Sequence, residues 1–421
     1  MKLHRRALLA ASGAALLSPR AFAQTLGQNL PAGGRGGRII RVRTLKPDGP
    51  GSITEAIKAE GSRIVVFEVG GVIDLGRTAL RISSGDLTVA GQTAPSPGIT
   101  LIRGGIEISQ NTRNVALSHI AVRPGEAGAA KKSGWECDGI YAYGASNILV
   151  RNCSITWATD EGLSASGKRF GKDDKAATLE EWRAFTSHDI FFLNNIVAEG
   201  LSNSTHSKGE HSKGTLIHDN VRNVVVSDSL YAHNMERNIL FKGGAQGVMK
   251  RCVVYNAGRR FAHYNLHAGE WGDHPFQTGD VEITANRFIA GPSTDPKAAV
   301  FMLGGEGDLR LAMANNALVG AKGGALAEYG TFGSKRAKLI EGPKPVLADP
   351  VPELADTLAL CGARPWDRDP IDARIVADVR NGTGKIINSE QDVGGYPVRP
   401  ETRAPFIEAD WNLERMERIT R

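Results

Sequence analysis

Short runs of alternating apolar and polar positions recur along this chain, and the runs themselves repeat. RNVALSHIAVRPG (113–125), SNILVRNCSITWA (146–158), HDIFFLNNIVAEG (188–200) and RNVVVSDSLYAHN (222–234) share one plan. GVMKRCVVYNAG (247–258), DVEITANRFIAG (280–291) and LRLAMANNALVG (309–320) continue it. Each unit reads as a strand, a bend at Asn, Asp or Ser, and a second short strand. Asn and Asp suit bends because they tolerate the left-handed backbone region. Successive units start roughly 25 to 40 residues apart, the spacing of a solenoid coil. One coil cannot bury its apolar face alone, whereas coils stacked in register bury a continuous core. The pattern therefore predicts an all-β fold, a right-handed parallel β-helix. A propeller blade needs about 40 residues and four strands, more than these units hold. A doubly wound α/β fold needs amphipathic helices between strands, and few are present.

The flanking segments fit the same plan. GPGSITEAIKAEGSRIVVFEVGGVIDLG (49–76) reads as a helix followed by a strand. Ser52 and Glu55 have the spacing of a capping box, so the helix is expected to start there. It would cover the N-terminal end of the solenoid, whose strand edges are otherwise unpaired. Residues 165–187 break the repeat and read as a charged surface excursion. Beyond about residue 336 the repeat fades into PKPVL and PVPELADTLALCGARPWDRDP. The expected organisation is a leader over 1–23, a β-helix unit over 24–335, and a C-terminal extension over 336–421 that wraps or caps it.

An expected export leader changes the setting. Lys2, Arg5 and Arg6 precede the apolar run ALLAASGAALL (7–17), and Ala21-Phe22-Ala23 has the pattern of a cleavage site before Gln24. The Arg5-Arg6 pair suggests the twin-arginine route. The apolar run is too short to span a bilayer. The expectation is a secreted or periplasmic, soluble monomer with no membrane partner. The formal charge of +6 suits a polyanionic partner. No nucleic-acid-binding module is recognisable, so nucleic acid is not the expected polyanion. Cys137, Cys153, Cys252 and Cys361 lack zinc-ligand spacing. Cys153 and Cys252 lie in strand-like runs, where buried free thiols and disulfides are both open readings.

Two acidic groups are candidates for metal binding. Glu136 and Asp138 precede one strand, and Asp160 and Glu161 follow the next, about one coil later. Stacked coils would set them side by side, an oxygen-rich arrangement suited to Ca²⁺. Ordinary solvated loop carboxylates would show the same spacing. The basic candidates are Lys208, Lys213, Arg237 and Lys242. Each alone reads as a surface cation, but HSKGTLIHD (211–219) and HNMERNILFKGG (233–244) place Lys213 before a strand and Arg237 after it. Such a row beside the acidic pairs would hold an anionic polymer. His206, His211, His218, His263 and His267 are expected to be solvated or hydrogen-bonded, and His233 to contact substrate. There is no HExxH motif and no G-x-S-x-G elbow.

At these residues the chain resembles a pectate lyase of polysaccharide lyase family 1. The resemblance covers roughly residues 38 to 330 and is strongest over 135–260. Glu136-Cys137-Asp138-Gly139-Ile140 resembles the family's first calcium motif, and NILVRNCSITWATDEGL its second. His211-Ser212-Lys213-Gly214-Thr215-Leu216-Ile217 matches H-x-K-x-x-L-I. Arg237 to Lys242 resembles R-x-P-x-x-R, with Ile239 in place of proline and Lys242 in place of the second arginine. The later carboxylate of the second calcium motif falls on Ser164 or Ala165. The resemblance implies β-elimination on an anionic polysaccharide, pectate (polygalacturonate), with Ca²⁺ on Glu136, Asp138, Asp160 and Glu161. It implies Arg237 as the base and Lys213 as the substrate carboxylate's partner. Lys242, Lys208 and His233 are placed with substrate. Arginine is ordinarily too basic for this role, so nearby cations and the metal are expected to disfavour its charged form.

Two other readings remain at this point. One is a lyase or hydrolase for another uronate polymer, and hydrolysis would need paired carboxylates flanking the bond. The other is a β-helix that binds polysaccharide without cleaving it, since fold does not dictate function.

Overall fold

Every repeated unit contributes strands to three long sheets that run the length of the molecule. A computed structural model describes residues 30–169, 178–342 and 349–419. The expected leader, 1–23, lies outside the described residues. Among those described, the first sheet has 11 strands, the second 9 and the third 10. All pairings within them are parallel except that of Thr402–Arg403 with Val69–Asp74. Strand follows strand from sheet to sheet, so each coil pairs with the coil before and after it. The chain is a parallel β-helix. No described helix is long and apolar enough to cross a membrane.

Register explains the repeat. Val150 pairs with Phe192, Phe192 with Val226, Val226 with Met249, and Met249 with Ile283. All five are buried. A one-residue slip would turn such a column outward, so the alternating pattern locks the register.

The bends stack as well. Asn152, Asn194, Asp228, Arg251, Ala285 and Asn315 all turn from the first sheet to the third with φ between 50° and 57°. The expected Asn and Asp are there, but Arg251 and Ala285 adopt the same conformation. The neighbouring rungs impose it. Just after the bend, side-chain amides bind the backbone of adjacent coils. Cys153 N–H donates to Asn195 Oδ1 (2.8 Å), and Cys252 N–H to Asn286 Oδ1 (2.9 Å). Both cysteines therefore occupy interior positions of this ladder. All four cysteines of the chain are free thiols.

The helix Ile53–Lys58 starts at Ser52, whose Oγ accepts the Glu55 N–H. The return bond of the expected box goes elsewhere: Glu55 Oε2 accepts from Gly51 N–H at 2.6 Å. Ile53, Ala56 and Ile57 are buried against the first coil.

At the other end the solenoid runs past the expected boundary at 335, because Leu339–Glu341 still pairs with Leu309–Ala314. The chain then returns along the outside of the third sheet. Helices Leu354–Leu360 and Pro370–Asn381 pack Leu358, Ile371, Ile375 and Val379 on Ile196, Leu230 and Val253. Phe406 and Met416 reach back to Ile64 and Val66 of the first coils. The middle coils of the third sheet are thus covered on their outer face by the two helices.

A buried charge cluster fastens the helix Pro370–Asn381. Arg123 Nη2 donates to Asp369 Oδ2 (2.7 Å) and Asp372 Oδ1 (2.9 Å), and Ser154 Oγ donates to Asp372. Burial, then the charge of Asp369, pushes the Asp372 carboxyl up to about 6. An unfolded aspartate titrates near 3.9. Between these values the docked helix binds a proton that the undocked chain releases, so docking weakens as pH rises from about 4 through about 6. Amide exchange within residues 370–381, corrected for intrinsic rates, should show easier opening at about pH 7 than at about pH 4.5. Asp372→Asn should flatten that dependence.

Candidate active site

The second sheet carries the charged residues that the sequence singles out. Its strands Ile140–Tyr143, Glu161–Ser166, Lys213–Ile217 and Leu240–Lys242 lie side by side. Glu161 pairs with Lys213, and Lys213 with Glu236. Asp138 joins one rung earlier, where its Oδ1 accepts the Glu161 N–H (3.1 Å). Successive rungs therefore present Asp138, Glu161, Lys213 and Glu236 in one row. A cleft of about 360 Å³ opens on this face. Glu107, Glu136, Asp138, Tyr141, Asp160, Glu161, Ser164 and Arg169 are among its lining residues.

Three carboxylates converge in the cleft. One oxygen each of Asp138, Asp160 and Glu161 lies within 4.8 Å of the others. Asp138 is pushed well above the usual carboxylate range by burial and then by the Asp160 charge, although Ser164 Oγ donates to its Oδ2. Burial acts on Asp160 in the same direction. His211 Nε2, 2.6 Å from Asp160 Oδ1, outweighs it together with the charges of His206 and Arg237, and Asp160 is lowered. Three carboxylates held this close, with Arg237 bonded to one of them, leave a deficit of positive charge. Their donors are all oxygen, which is what Ca²⁺ takes.

Glu136 lines the same cleft but stands apart from this trio. Ser207 holds it, through its N–H at 3.1 Å and its hydroxyl, on the loop side of the cleft. Glu136 Oε1 lies instead 3.4 Å from His206 Nδ1.

The cations are not a free row either. Arg237 Nη1 bonds Glu161, reaching across the intervening Lys213 rung. Arg237 itself sits in the left-handed region, with φ 58°. Burial lowers its pKa, and the charges of Asp160 and Asp138 oppose that. Its neighbours thus favour the charged form, the reverse of the cationic surroundings expected from sequence. Lys213 is buried and bonded to Glu236, which also binds Arg260. Burial, then Arg259 and Arg260, brings Lys213 down to about 7. Lys242 Nζ lies 3.1 Å from Asp219 Oδ2 and also bonds Glu270. Burial lowers it to about 8. Lys208 is exposed on the loop that carries His206.

His233 lies away from the cleft, contrary to its expected contact with substrate. It occupies the bend that ends a third-sheet strand, with φ 58°, as do Trp157, Glu199 and Asn256 on other coils. That bend aims its ring outward beneath the C-terminal helix, where Nδ1 lies 2.9 Å from Asn256 Nδ2 and Nε2 lies 3.9 Å from Asp378.

No family model matches this chain. The probable pectate lyase C of Aspergillus flavus is 30% identical to it over 374 residues, covering 86% of this chain and 78% of that protein. The chain belongs to the pectate lyase family. The probable pectate lyase C of Emericella nidulans is 34% identical over 266 residues, covering 63% of this chain and 52% of that protein. Among solved structures, pectate lyase II of Xanthomonas campestris pv. campestris is similar with a TM-score of 0.40 and 14% identity, covering 80% of this chain and 98% of that one.

The partners of the cations lie outside the residues that the sequence marks as candidates. Glu236, Asp219 and Glu270 were not singled out, yet they hold Lys213 and Lys242. A usable signal was present. Lys213 and Glu236 are 23 residues apart, and Lys242 and Glu270 are 28 apart. Each separation is close to one coil, so opposite charges so spaced meet on neighbouring rungs. Arg169, in the excursion after the strand Glu161–Ser166, was also missed and lines the cleft. The stacking of His206 on His211 has no signal in the sequence, because both lie in a loop with no repeat to fix their direction. His206 and His211 stack at 3.7 Å with ring planes 12° apart.

Proposed function

We propose that this chain cleaves 4-linked polygalacturonate by calcium-dependent β-elimination, with Asp138, Asp160 and Glu161 as the metal ligands and Arg237 as the base. The observation that carries this reading is the all-oxygen trio in a cleft, with a guanidinium on one of its members. The names of its relatives support the reaction class. Calcium held by the trio would supply positive charge to the uronate carboxylate and so acidify the neighbouring C5 proton.

Arg237 is the group placed to take that proton. Its side chain keeps 22% exposure, whereas Lys213 keeps 5% and is tied to Glu236. Contact with Glu161 holds the guanidinium charged, so accepting a proton requires Arg237 to leave Glu161. An alkaline optimum follows, because higher pH raises the neutral fraction. The C5 proton passes to Arg237, the C5 electron pair forms the C4–C5 double bond, and the C4–O bond breaks with its electron pair on the departing oxygen, which takes a proton from water. Arg169 lines the cleft, whereas Lys213 and Lys242 would meet an anionic polymer only by exchanging their present carboxylate partners for it. Lys208 lies on the rim. The protein acts outside the cytoplasm as a monomer, in keeping with the expected leader.

The test is incubation with polygalacturonate, with and without a calcium chelator, while following the ultraviolet absorbance of unsaturated ends. Absorbance that rises and is lost with chelator is the expected result. Shortened chains without absorbance would instead indicate hydrolysis, and retention of intact polymer would indicate binding alone.

A further inference from the structure

We propose that His206, His211 and Asp160, backed by Glu136, form a second cation site that takes a transition-metal dication such as Zn²⁺ or Co²⁺. The proposal does not depend on calcium at the neighbouring trio. The loop after the strand Ile196–Ala198 brings two imidazoles together, almost wholly buried and stacked. His211 Nε2 lies 2.6 Å from Asp160 Oδ1, and His206 Nε2 lies 3.7 Å from the same oxygen. Ligand atoms of the three side chains fall within 4.8 Å of one another. Two imidazole nitrogens and one carboxylate oxygen are a different donor set from the all-oxygen trio. Imidazole suits zinc, copper and nickel, whereas Ca²⁺ takes oxygen.

The surroundings complete such a site. A ligating histidine commonly donates its other ring N–H to a carboxylate, which orients the ring. Glu136 Oε1 stands 3.4 Å from His206 Nδ1, in position for that role. Ser207 N–H, at 3.1 Å, and the Ser207 hydroxyl hold Glu136 there. Without a metal, Lys208 N–H donates to His206 Nδ1 (3.1 Å), which leaves the neutral ring's proton on Nε2. Loading moves that proton to Nδ1, where Glu136 accepts it, and frees Nε2 for the metal. The His211 proton moves from Nε2 to Nδ1 in the same way. Glu136 thus has a role that the oxygen trio does not give it. Asp160 belongs to both sites, so a dication on the histidines would sit beside the proposed catalytic cation.

The test is titration of chelator-stripped protein with Co²⁺ alone. The expected result is one ion bound per chain, with visible ligand-field absorption. Proton spectra should gain two hyperfine-shifted, exchangeable ring N–H resonances, one from each histidine. His206→Ala and His211→Ala should each weaken binding at least tenfold, and Glu136→Gln should weaken it by ~10–100-fold. Circular dichroism establishes that the variants are folded. Unchanged Co²⁺ affinity in both folded histidine variants would overturn the proposal. If a variant does not fold, the wild-type spectrum decides, and bound Co²⁺ without imidazole resonances, or no stoichiometric binding, overturns it.

Discussion

Arg237→Lys is expected to lower kcat on polygalacturonate by ~10²–10⁴-fold, the usual contribution of a positioned acid or base. Polymer binding should stay within a few-fold of wild type, because the substitution keeps the positive charge. The loss comes from geometry. Arg237 leaves the chain at a left-handed bend and reaches across the Lys213 rung to Glu161. Lysine is shorter, and it replaces a rigid planar fork with a single ammonium. A misplaced base loses the near-attack arrangement on which an effectively unimolecular step depends. Initial rates of unsaturated product, set beside affinity for the polymer measured by calorimetry, separate the two effects. Wild-type turnover in the variant would remove Arg237 as the base.

Asp138→Asn is expected to act in opposite directions with and without calcium. Burial and then the charge of Asp160 push Asp138 well toward its protonated form. Asparagine removes one charge from the trio and can keep both hydrogen bonds, accepting from Glu161 N–H and pairing with Ser164. The metal-free variant should therefore unfold at a higher temperature than metal-free wild type. Calcium stabilises a native chain by ~2.7 kcal/mol at a hundred times its dissociation constant. The variant should lose most of that gain, along with calcium-stimulated cleavage. Thermal unfolding with and without calcium measures both. An undiminished calcium shift in the variant would exclude Asp138 as a ligand.

The two predictions draw on the sequence to different degrees. The row Asp138, Glu161, Lys213 follows from the repeat once coils are stacked, because residues one coil apart become neighbours. The repeated Asn and Asp also told where several bends lie, although Arg251 and Ala285 take the same left-handed conformation at equivalent turns. The pairing of charges is another matter. The sequence motifs set Arg237 among cations, yet its partner is Glu161, 76 residues earlier. Glu136 lies two residues from Asp138, but the loop residue Ser207 draws it away from the trio. His233 lies within the motif that contains Arg237, yet the bend it occupies faces the C-terminal helix.

The sequence by itself determined the solenoid, the register of its core and the sheet that carries the charged row. Those properties follow from a period of alternating residues, and a period survives in one dimension. Only the tertiary structure decided that Arg237 reaches Glu161, that Ser207 holds Glu136 apart from the carboxylate trio, and that two loop histidines stack beside Asp160. Direction at a bend and the path of a loop depend on contacts between distant coils, and no local pattern records them.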